Sequence, residues 1–507
     1  MALAKINSAA IVGLSATLVD TEVDISNGLP GFLIVGLPDK SVEEAKERVK
    51  SAIRNSNVQF PNRKITVNLA PADIRKEGPA YDLPIAVGIM LASEQIYKPD
   101  SAVFFGELAL DGNIRPINGA ILFAAMAKEQ RIKTIYLPAE NALEASLIDS
   151  IEIIPVKNLK QLVAHLRREI NIPPHPQTAV DPSLLEQAFA TDMKDISGQE
   201  QAKRALEIAA AGRHNILMSG PPGSGKTMLA KALTTILPPL TVPEMLDVTK
   251  IYSVTGYLSN NSSLILQRPF RSPHHTASAV AITGGGNWPK PGEISLAHKG
   301  VLFLDELPEF TRQVLDVLRQ PMEDKVVHIS RANQNTTFPA NFMLVAAQNP
   351  CPCGYFGDPQ KSCTCSAGQI HNYQKKISGP MLDRIDLHIQ VPRLSYDKLT
   401  TNPNAESSFK IRERIILAQR IQAERFATSP TTNNSEMNTE ELKQFCALDE
   451  TGHQLLRHAV DKMNLSGRAY SRTLKVARTI ADLENENNIK PQHIAEALSY
   501  RLTDNEL

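Results

Sequence analysis

Over positions 1–170 short strand-like runs interleave with longer amphipathic stretches. Residues 9–12, 17–23, 32–35 and 65–69 are short runs rich in apolar and β-branched side chains, as strands are. Residues 42–53 and 84–91 instead repeat apolar side chains at helical spacing. The mixture predicts an α+β domain. A polar, proline-rich stretch, Asn171-Ile172-Pro173-Pro174-His175-Pro176-Gln177, opens a linker over 171–190. The pattern then changes. Residues 216–218, 300–304 and 342–347 are unbroken apolar runs, the signature of strands buried on both faces in a parallel sheet, and they predict an α/β core over 191–400. From 401 to 507 only helical periods remain, over 409–426, 440–445, 450–463, 469–485 and 491–502.

Where the core runs end, residues with chemistry begin. The first leads into Gly220-Pro221-Pro222-Gly223-Ser224-Gly225-Lys226-Thr227, and helix-forming residues follow. In a G-x-x-x-x-G-K-T loop between strand and helix, backbone N–H groups turn inward around phosphates and the helix N-terminus favours anions. Lys226 supplies a charge there, and Thr227 a hydroxyl for Mg²⁺. The second run closes on Asp305 and Glu306, which suits Asp305 to hold Mg²⁺ through water and Glu306 to polarise an attacking water. The third ends near Asn349, whose amide either orients that water or caps the turn opened by Asn349-Pro350. Together these residues predict an Mg²⁺-dependent ATP hydrolase.

Composition narrows the rest. Among 507 residues, 54 basic side chains balance 54 acidic ones, so any contact with a polyanion has to be local. No apolar run is long enough to span a bilayer and no charged-then-apolar leader opens the chain; with five cysteines, that predicts a cytoplasmic protein without a membrane partner. Cys351, Cys353, Cys363 and Cys365 fall close together as two C-x-C pairs, a ligand set for structural Zn²⁺ or a group of free, redox-active thiols. His371 is a possible substitute ligand, and Cys446 reads as a small buried hydrophobe.

Several segments carry resemblances. Lys76-Glu77-Gly78-Pro79-Ala80-Tyr81-Asp82 and Phe105-Gly106-Glu107, continuing to Pro116-Ile117-Asn118-Gly119, resemble the proteolytic domain of Lon-type proteases. That family places a serine nucleophile and a lysine base where this chain has Ala80 and Ile121. Neither side chain can attack a carbonyl or accept a proton, so the resemblance implies a fold without peptidase chemistry. Asp195-Ile196-Ser197-Gly198-Gln199-Glu200-Gln201-Ala202-Lys203-Arg204-Ala205-Leu206 resembles the opening of an AAA+ ATPase core. Ser378-Gly379-Pro380-Met381-Leu382-Asp383-Arg384-Ile385-Asp386 resembles a magnesium-chelatase-like segment in which Arg384 is the arginine finger; pairing with Asp383 or Asp386 is the structural alternative. The helix after Leu465 resembles the sensor-2 helix, with Arg468 and then Arg472 as candidates to contact phosphate.

Taken whole, the chain is similar to the ComM family of magnesium-chelatase-like AAA+ proteins. The resemblance implies a homo-hexameric ring that moves single-stranded or branched DNA during homologous recombination, especially in natural transformation. A magnesium-chelatase-type motor subunit acting on a metal-insertion partner is the alternative. Family members carry pore-facing hairpins at two places, matched here by 268–293 and by a hairpin of residues 325–331 returning through 336–338. The resemblance makes Arg268, Arg271, Lys325 and Arg331 candidate DNA contacts, with Phe270 or Trp288 to stack on bases, unless these are solvated loop residues.

Overall fold

The computed structural model describes residues 2–178, 191–258, 263–286, 289–331, 334–394, 406–463 and 465–501. They form two compact units: 1–183 joined by 241–265, and 184–240 joined by 266–507.

The first unit is built on a seven-stranded sheet. β1 (Ala2–Val12) and β2 (Ser15–Ser26) form a long antiparallel hairpin, and β3 (Gly31–Val35), β4 (Lys64–Ala70), β5 (Ala102–Phe104), β6 (Thr134–Pro138) and β7 (Glu152–Val156) complete the order β3-β4-β2-β1-β5-β6-β7. The alternation in β2 buries Val19, Thr21, Val23 and Ile25 on one face. α1 (Lys40–Asn55) starts at Asp39, whose carboxylate accepts from the Val42 N–H at 2.8 Å, and buries the stripe Val42, Ala45, Val49, Ala52 and Ile53. α2 (Asp82–Ala92) is apolar nearly all round and is buried nearly all round, against β1 and β2. α3 (Ala120–Glu129) follows the Gly119 turn.

One helix of this unit comes from much later in the chain. Val242–Thr255 begins with a capping box of Thr241 and Glu244 and packs on α3. Its Ser253 hydroxyl accepts the Gly119 N–H at 2.9 Å and donates to Glu144 Oε1 at 2.5 Å. The sequence boundaries assign 241–265 to the ATPase core; the structure groups the segment with the first unit instead, because its buried polar partners are there.

The second unit holds five parallel strands: β8 (Ile216–Ser219), β9 (Phe270–Arg271), β10 (Val301–Leu304), β13 (Met343–Gln348) and β14 (Leu387–Gln390), in the order β9-β10-β13-β8-β14. Between β10 and β13 in the chain lies the hairpin of β11 (Val326–Arg331) and β12 (Gln334–Pro339). It has the expected two faces, Val327 and Ile329 buried and His328 and Ser330 exposed. α4 (Glu200–Gly212) starts after Gln199, held at φ 58°. α5 (Lys226–Ile236) leaves the phosphate loop, and the C-terminal helices include α6 (Ser408–Arg425) and α7 (Gly467–Leu483). Ala202, Ala205, Ala209, Ala210 and Ala211 on α4 are buried, and such small side chains let α6 and α7 approach closely. A single apolar cluster therefore runs from β8 through α4 and α5 into Ile411, Ile415, Leu474 and Ile480. The sheet consequently has two functional rims: a carboxyl rim at Ser219, Leu304, Gln348 and Gln390, and an amino rim at Ile216, Val301, Met343 and Leu387.

Candidate nucleotide site

The phosphate loop leaves the carboxyl rim at Ser219, where open α/β sheets bind ligands. Gly223 and Gly225 have φ of 76° and 93°, and a Cβ at either would meet nothing within 4 Å. Their carbon-free faces line open space suited to phosphate oxygens. α5 begins at Lys226 with no side-chain cap, which leaves its first amides for an anion. Lys226 Nζ donates to the carbonyls of Gly220 at 2.6 Å and Pro221 at 3.0 Å and to Asn349 Oδ1 at 3.3 Å, and burial lowers its pKa. Asn349 is thereby tied to the phosphate lysine.

The acids arrive as the chemistry requires. Thr227 Oγ1 donates to Asp305 Oδ2 at 3.0 Å, so the two groups suited to hold Mg²⁺ already touch. Glu306 sits at φ 53°, beyond the end of β10, and its backbone N–H donates to Asp305 Oδ1 at 3.0 Å. Sequence reasoning missed its partner: His275 Nδ1 lies 3.2 Å from Glu306 Oε2. The His274-His275 pair following β9 was the available signal, and β9 beside β10 brings it to Glu306. Gln199 was missed too; its amide donates to Pro392 O at 2.7 Å and Ser224 O at 3.4 Å, bracing the loop from the turn before α4.

Comparisons with known proteins show the family. The family model described as magnesium chelatase, subunit ChlI matches residues 192–399; that of subunit ChlI of Mg-chelatase matches 21–141, and that of the subunit ChlI C-terminal region 405–501. The competence protein ComM of Haemophilus influenzae is 46% identical over 507 residues, 99% of this chain and 98% of its own. The chain belongs to the ComM family of magnesium-chelatase-like AAA+ proteins. The uncharacterized protein YifB of Escherichia coli is 44% identical over 508 residues, covering 99% of this chain and 98% of its own. Lon protease 2 of Bacillus subtilis is 28% identical over 177 residues, 31% of this chain and 32% of its own. Family membership implies ATP and Mg²⁺ as cofactors, and the open glycine cradle with the Thr227–Asp305 pair fits both.

The Lon-like positions hold no catalytic group. The methyl of Ala80 packs on the apolar cluster around Phe105 and Phe123, and Ile121 is buried. Around Ile121 the polar groups serve the backbone: Glu144 Oε1 accepts from the Ile121 N–H at 2.9 Å, and Asn141 exchanges bonds with the Ile117 backbone at 2.9 Å. Burial raises the Glu144 pKa against these donors.

The arginines lie elsewhere. Arg384 precedes β14, so it stands at the amino rim, opposite its own phosphate loop. Its guanidinium donates to Pro380 O at 2.7 Å and pairs with Glu323 at 2.8 Å, rather than with Asp383 or Asp386. Arg472 pairs with the buried Asp386 and donates to Arg384 O at 2.9 Å. Burial works against the Asp386 charge, yet Arg472 and His214 hold its carboxyl below the usual range. Arg468 is exposed one turn before Arg472. The start of α7 therefore lies at the amino rim of its own subunit, where Asp386 holds Arg472.

Three of the residues expected to contact DNA are placed by the structure within their own chain. Arg268 spends its guanidinium on the carbonyls of Pro238 at 2.6 Å, Lys299 at 2.7 Å and Pro239 at 3.3 Å. Arg271 forms a bidentate pair with Glu293, both bonds 2.7 Å. Lys325 caps the helix before the hairpin, half-buried, and burial lowers its pKa. Phe270 packs against Phe303 with ring centroids 5.8 Å apart. Trp288 and the Arg331 side chain lie outside the described residues.

The four clustered cysteines converge, all four Sγ atoms within 4.8 Å of one another. Backbone N–H groups of Tyr355 and Thr364 hold the Cys353 thiol down to about 5. His371 is exposed and is not in the group, and Cys446 is buried as expected. No described helix is long and apolar enough to cross a membrane.

Proposed function

We propose that the chain is an ATP-driven DNA motor of the cytoplasm, working as a homo-hexameric ring in which each catalytic site is shared by two subunits. One observation carries the reading: Lys226, Thr227, Asp305, Glu306 and Asn349 gather on the carboxyl rim, while Arg384, Arg468 and Arg472 sit at the amino rim. None of these three arginines stands beside the phosphate loop of its own subunit, and a neighbour's amino rim would supply the transition-state arginine. Mg²⁺ would be held by Thr227 and, through water, by Asp305, and would offset charge on the phosphates. Glu306 takes the proton of the attacking water once His275 releases it, and Asn349 orients that water. Breaking Glu323–Arg384 as the neighbour docks links assembly to hydrolysis.

DNA as the moved substrate is supported by the similarity to a competence protein and by the hairpin of β11 and β12. With Arg268 and Arg271 engaged by their own chain and Lys325 half-buried, the exposed Lys290 is a described cation beside the hairpins that would track a phosphate backbone, and Arg331 stays a candidate from the sequence alone. The proposed task is branch migration of three-stranded or forked recombination intermediates formed in natural transformation. The decisive experiment measures ATP hydrolysis with single-stranded, duplex and forked DNA beside native mass with and without nucleotide. Forked or single-stranded DNA should raise turnover and ATP should yield hexamers; unchanged hydrolysis with every DNA refutes the motor. The family descriptions favour a second reading, a chelatase-type motor subunit. It predicts instead ATP-dependent metal insertion into a tetrapyrrole when partner subunits are added.

A further inference from the structure

The segment that follows β13 and Asn349 runs from Cys351 to Cys365 without a helix or strand, and sulfur is what draws it together. Sγ–Sγ separations are 3.4 Å for Cys351–Cys353, 3.5 Å for Cys353–Cys363 and 3.7 Å for Cys351–Cys363. A tetrahedral Zn²⁺ with Zn–S bonds of about 2.3 Å has S–S edges of about 3.8 Å, so one ion accounts for the spacing. Iron–sulfur clusters place bridging sulfides between their thiolates and need a wider cage. The thiolate charge also has its outer partners. Backbone N–H groups of Phe356, Cys353 and Cys365 donate to the sulfurs of Cys351, Cys365 and Cys363 at 3.3, 3.4 and 3.4 Å.

This cysteine loop leans on the phosphate loop. Gly354, at φ 85° between the two cysteine pairs, lies so close to Pro222 that a Cβ there would come within 2.5 Å of its Cδ and 2.7 Å of its Cγ. Arg393 reaches the same residue, donating to Pro222 O at 3.3 Å while its guanidinium sits 5.9 Å from the Tyr355 ring centroid. Phe356 and Gly357 from the cysteine loop and Gly220 and Pro221 from the phosphate loop line one cavity of about 300 Å³. Without the cross-link, nothing regular in residues 351–365 fixes the Gly354 turn against Pro222.

We propose that Cys351, Cys353, Cys363 and Cys365 bind one Zn²⁺ and that the ion braces the phosphate loop through the Gly354–Pro222 contact, so that nucleotide affinity depends on the metal. The metal centre stands on the cysteine geometry alone; its coupling rests on the phosphate-loop reading and not on the DNA reading. The test uses the full chain carrying Cys446→Ser, which removes the thiol outside the cluster. Elemental analysis should find about one zinc per chain. Releasing it with a mercurial, followed by a colorimetric zinc indicator, should weaken binding of a fluorescent ATP analogue by about tenfold or more, and thiol reduction with added Zn²⁺ should restore it. Gly354→Ala should keep its zinc and lose about as much affinity, which separates the brace from folding. Iron or no metal in the fresh protein overturns the centre. Affinity that stays within roughly twofold after zinc release, or in Gly354→Ala, overturns the brace. A zinc-loaded chain that binds no ATP overturns the brace together with the ATPase reading, while its metal content still decides the centre.

Discussion

Mixing two hydrolysis-dead variants tests whether subunits share a catalytic site. Lys226→Ala takes the ammonium from the phosphate loop, and Arg384→Ala removes a guanidinium from the opposite rim. β14 alone separates the rims by about 10 Å at a rise of ~3.3 Å per residue. Arg384 lies before that strand begins, with its side chain turned to Glu323 and Pro380, and no rotamer carries it to its own loop. Removing an arginine finger costs about 10³-fold or more in turnover, so each variant alone should stay at background. In a random equimolar ring, a site works when its own subunit supplies Lys226 and its neighbour supplies Arg384. Each condition holds half the time, so roughly one quarter of sites are competent and the mixture should recover about a quarter of the unmutated rate. The assay is steady-state ATP hydrolysis by co-expressed, differently tagged variants at saturating nucleotide, with native mass to confirm mixed rings. Mixed rings that remain at background refute the shared site, as does Arg384→Ala with normal turnover.

The other predictions concern single groups. Glu306→Gln should bind ATP normally and lose about 10²–10⁴ in kcat, because it keeps the shape and removes the base; a fluorescent-analogue titration beside turnover checks both. Lys226→Ala should weaken ATP binding by roughly 10–100-fold, the loss of a charge-assisted hydrogen bond, read in the same titration. His275→Ala frees a carboxylate that His275 engages in the nucleotide-free chain, so DNA-independent hydrolysis should rise about threefold and stimulation by DNA should shrink. His388 gives a pH test. Burial, then the nearby Arg501, hold its imidazole down to about 4, with Nε2 donating to Ile385 O at 3.2 Å. A folded pKa below the unfolded value of about 6.5 means that the neutral ring contributes stability that is present above that pH and is lost as pH falls through 4. The contribution is on the order of 3 kcal/mol, so urea midpoints should fall between pH 6.5 and 4 in the unmutated chain and fall less in His388→Leu.

Contiguous chemistry was legible in the sequence. A phosphate loop is one stretch of chain whose glycines, lysine and threonine act through neighbouring backbone, and strands buried on both faces show as unbroken apolar runs, so Gly220–Thr227, Asp305, Glu306 and Asn349 could be placed without coordinates. The four cysteines were legible for the same locality: two C-x-C pairs close in sequence, whose sulfurs the structure brings within 4.8 Å of one another. His275 escaped because its meaning depends on β9 lying beside β10, a pairing that no local pattern encodes. The helix Val242–Thr255 had a readable start in its capping box, but its unit was decided by Ser253 meeting Gly119 and Glu144, 134 and 109 residues away.

The cations were harder to read for a different reason. A sequence counts basic side chains but not the acceptors that reach them first. Arg268 looked like a free charge until three carbonyls took its donors, and Arg271 until Glu293 matched it bidentately. A guanidinium fully engaged in its own fold has little to offer a phosphate, and giving up such bonds costs more than one backbone contact returns. Arg384 differs in kind. Its Nε is buried without a partner and its ion-pair partner Glu323 is about half exposed, so its present bonds are incomplete. Among the three rim arginines it gains most from a neighbour's phosphates, whereas Arg472, pinned by the fully enclosed Asp386, serves best as the post that holds the Arg384 carbonyl in place. Arg472→Lys should therefore lower turnover with Arg384 intact, by displacing the Arg384 backbone, and leave ATP affinity unchanged; a loss confined to affinity would instead place Arg472 on nucleotide directly.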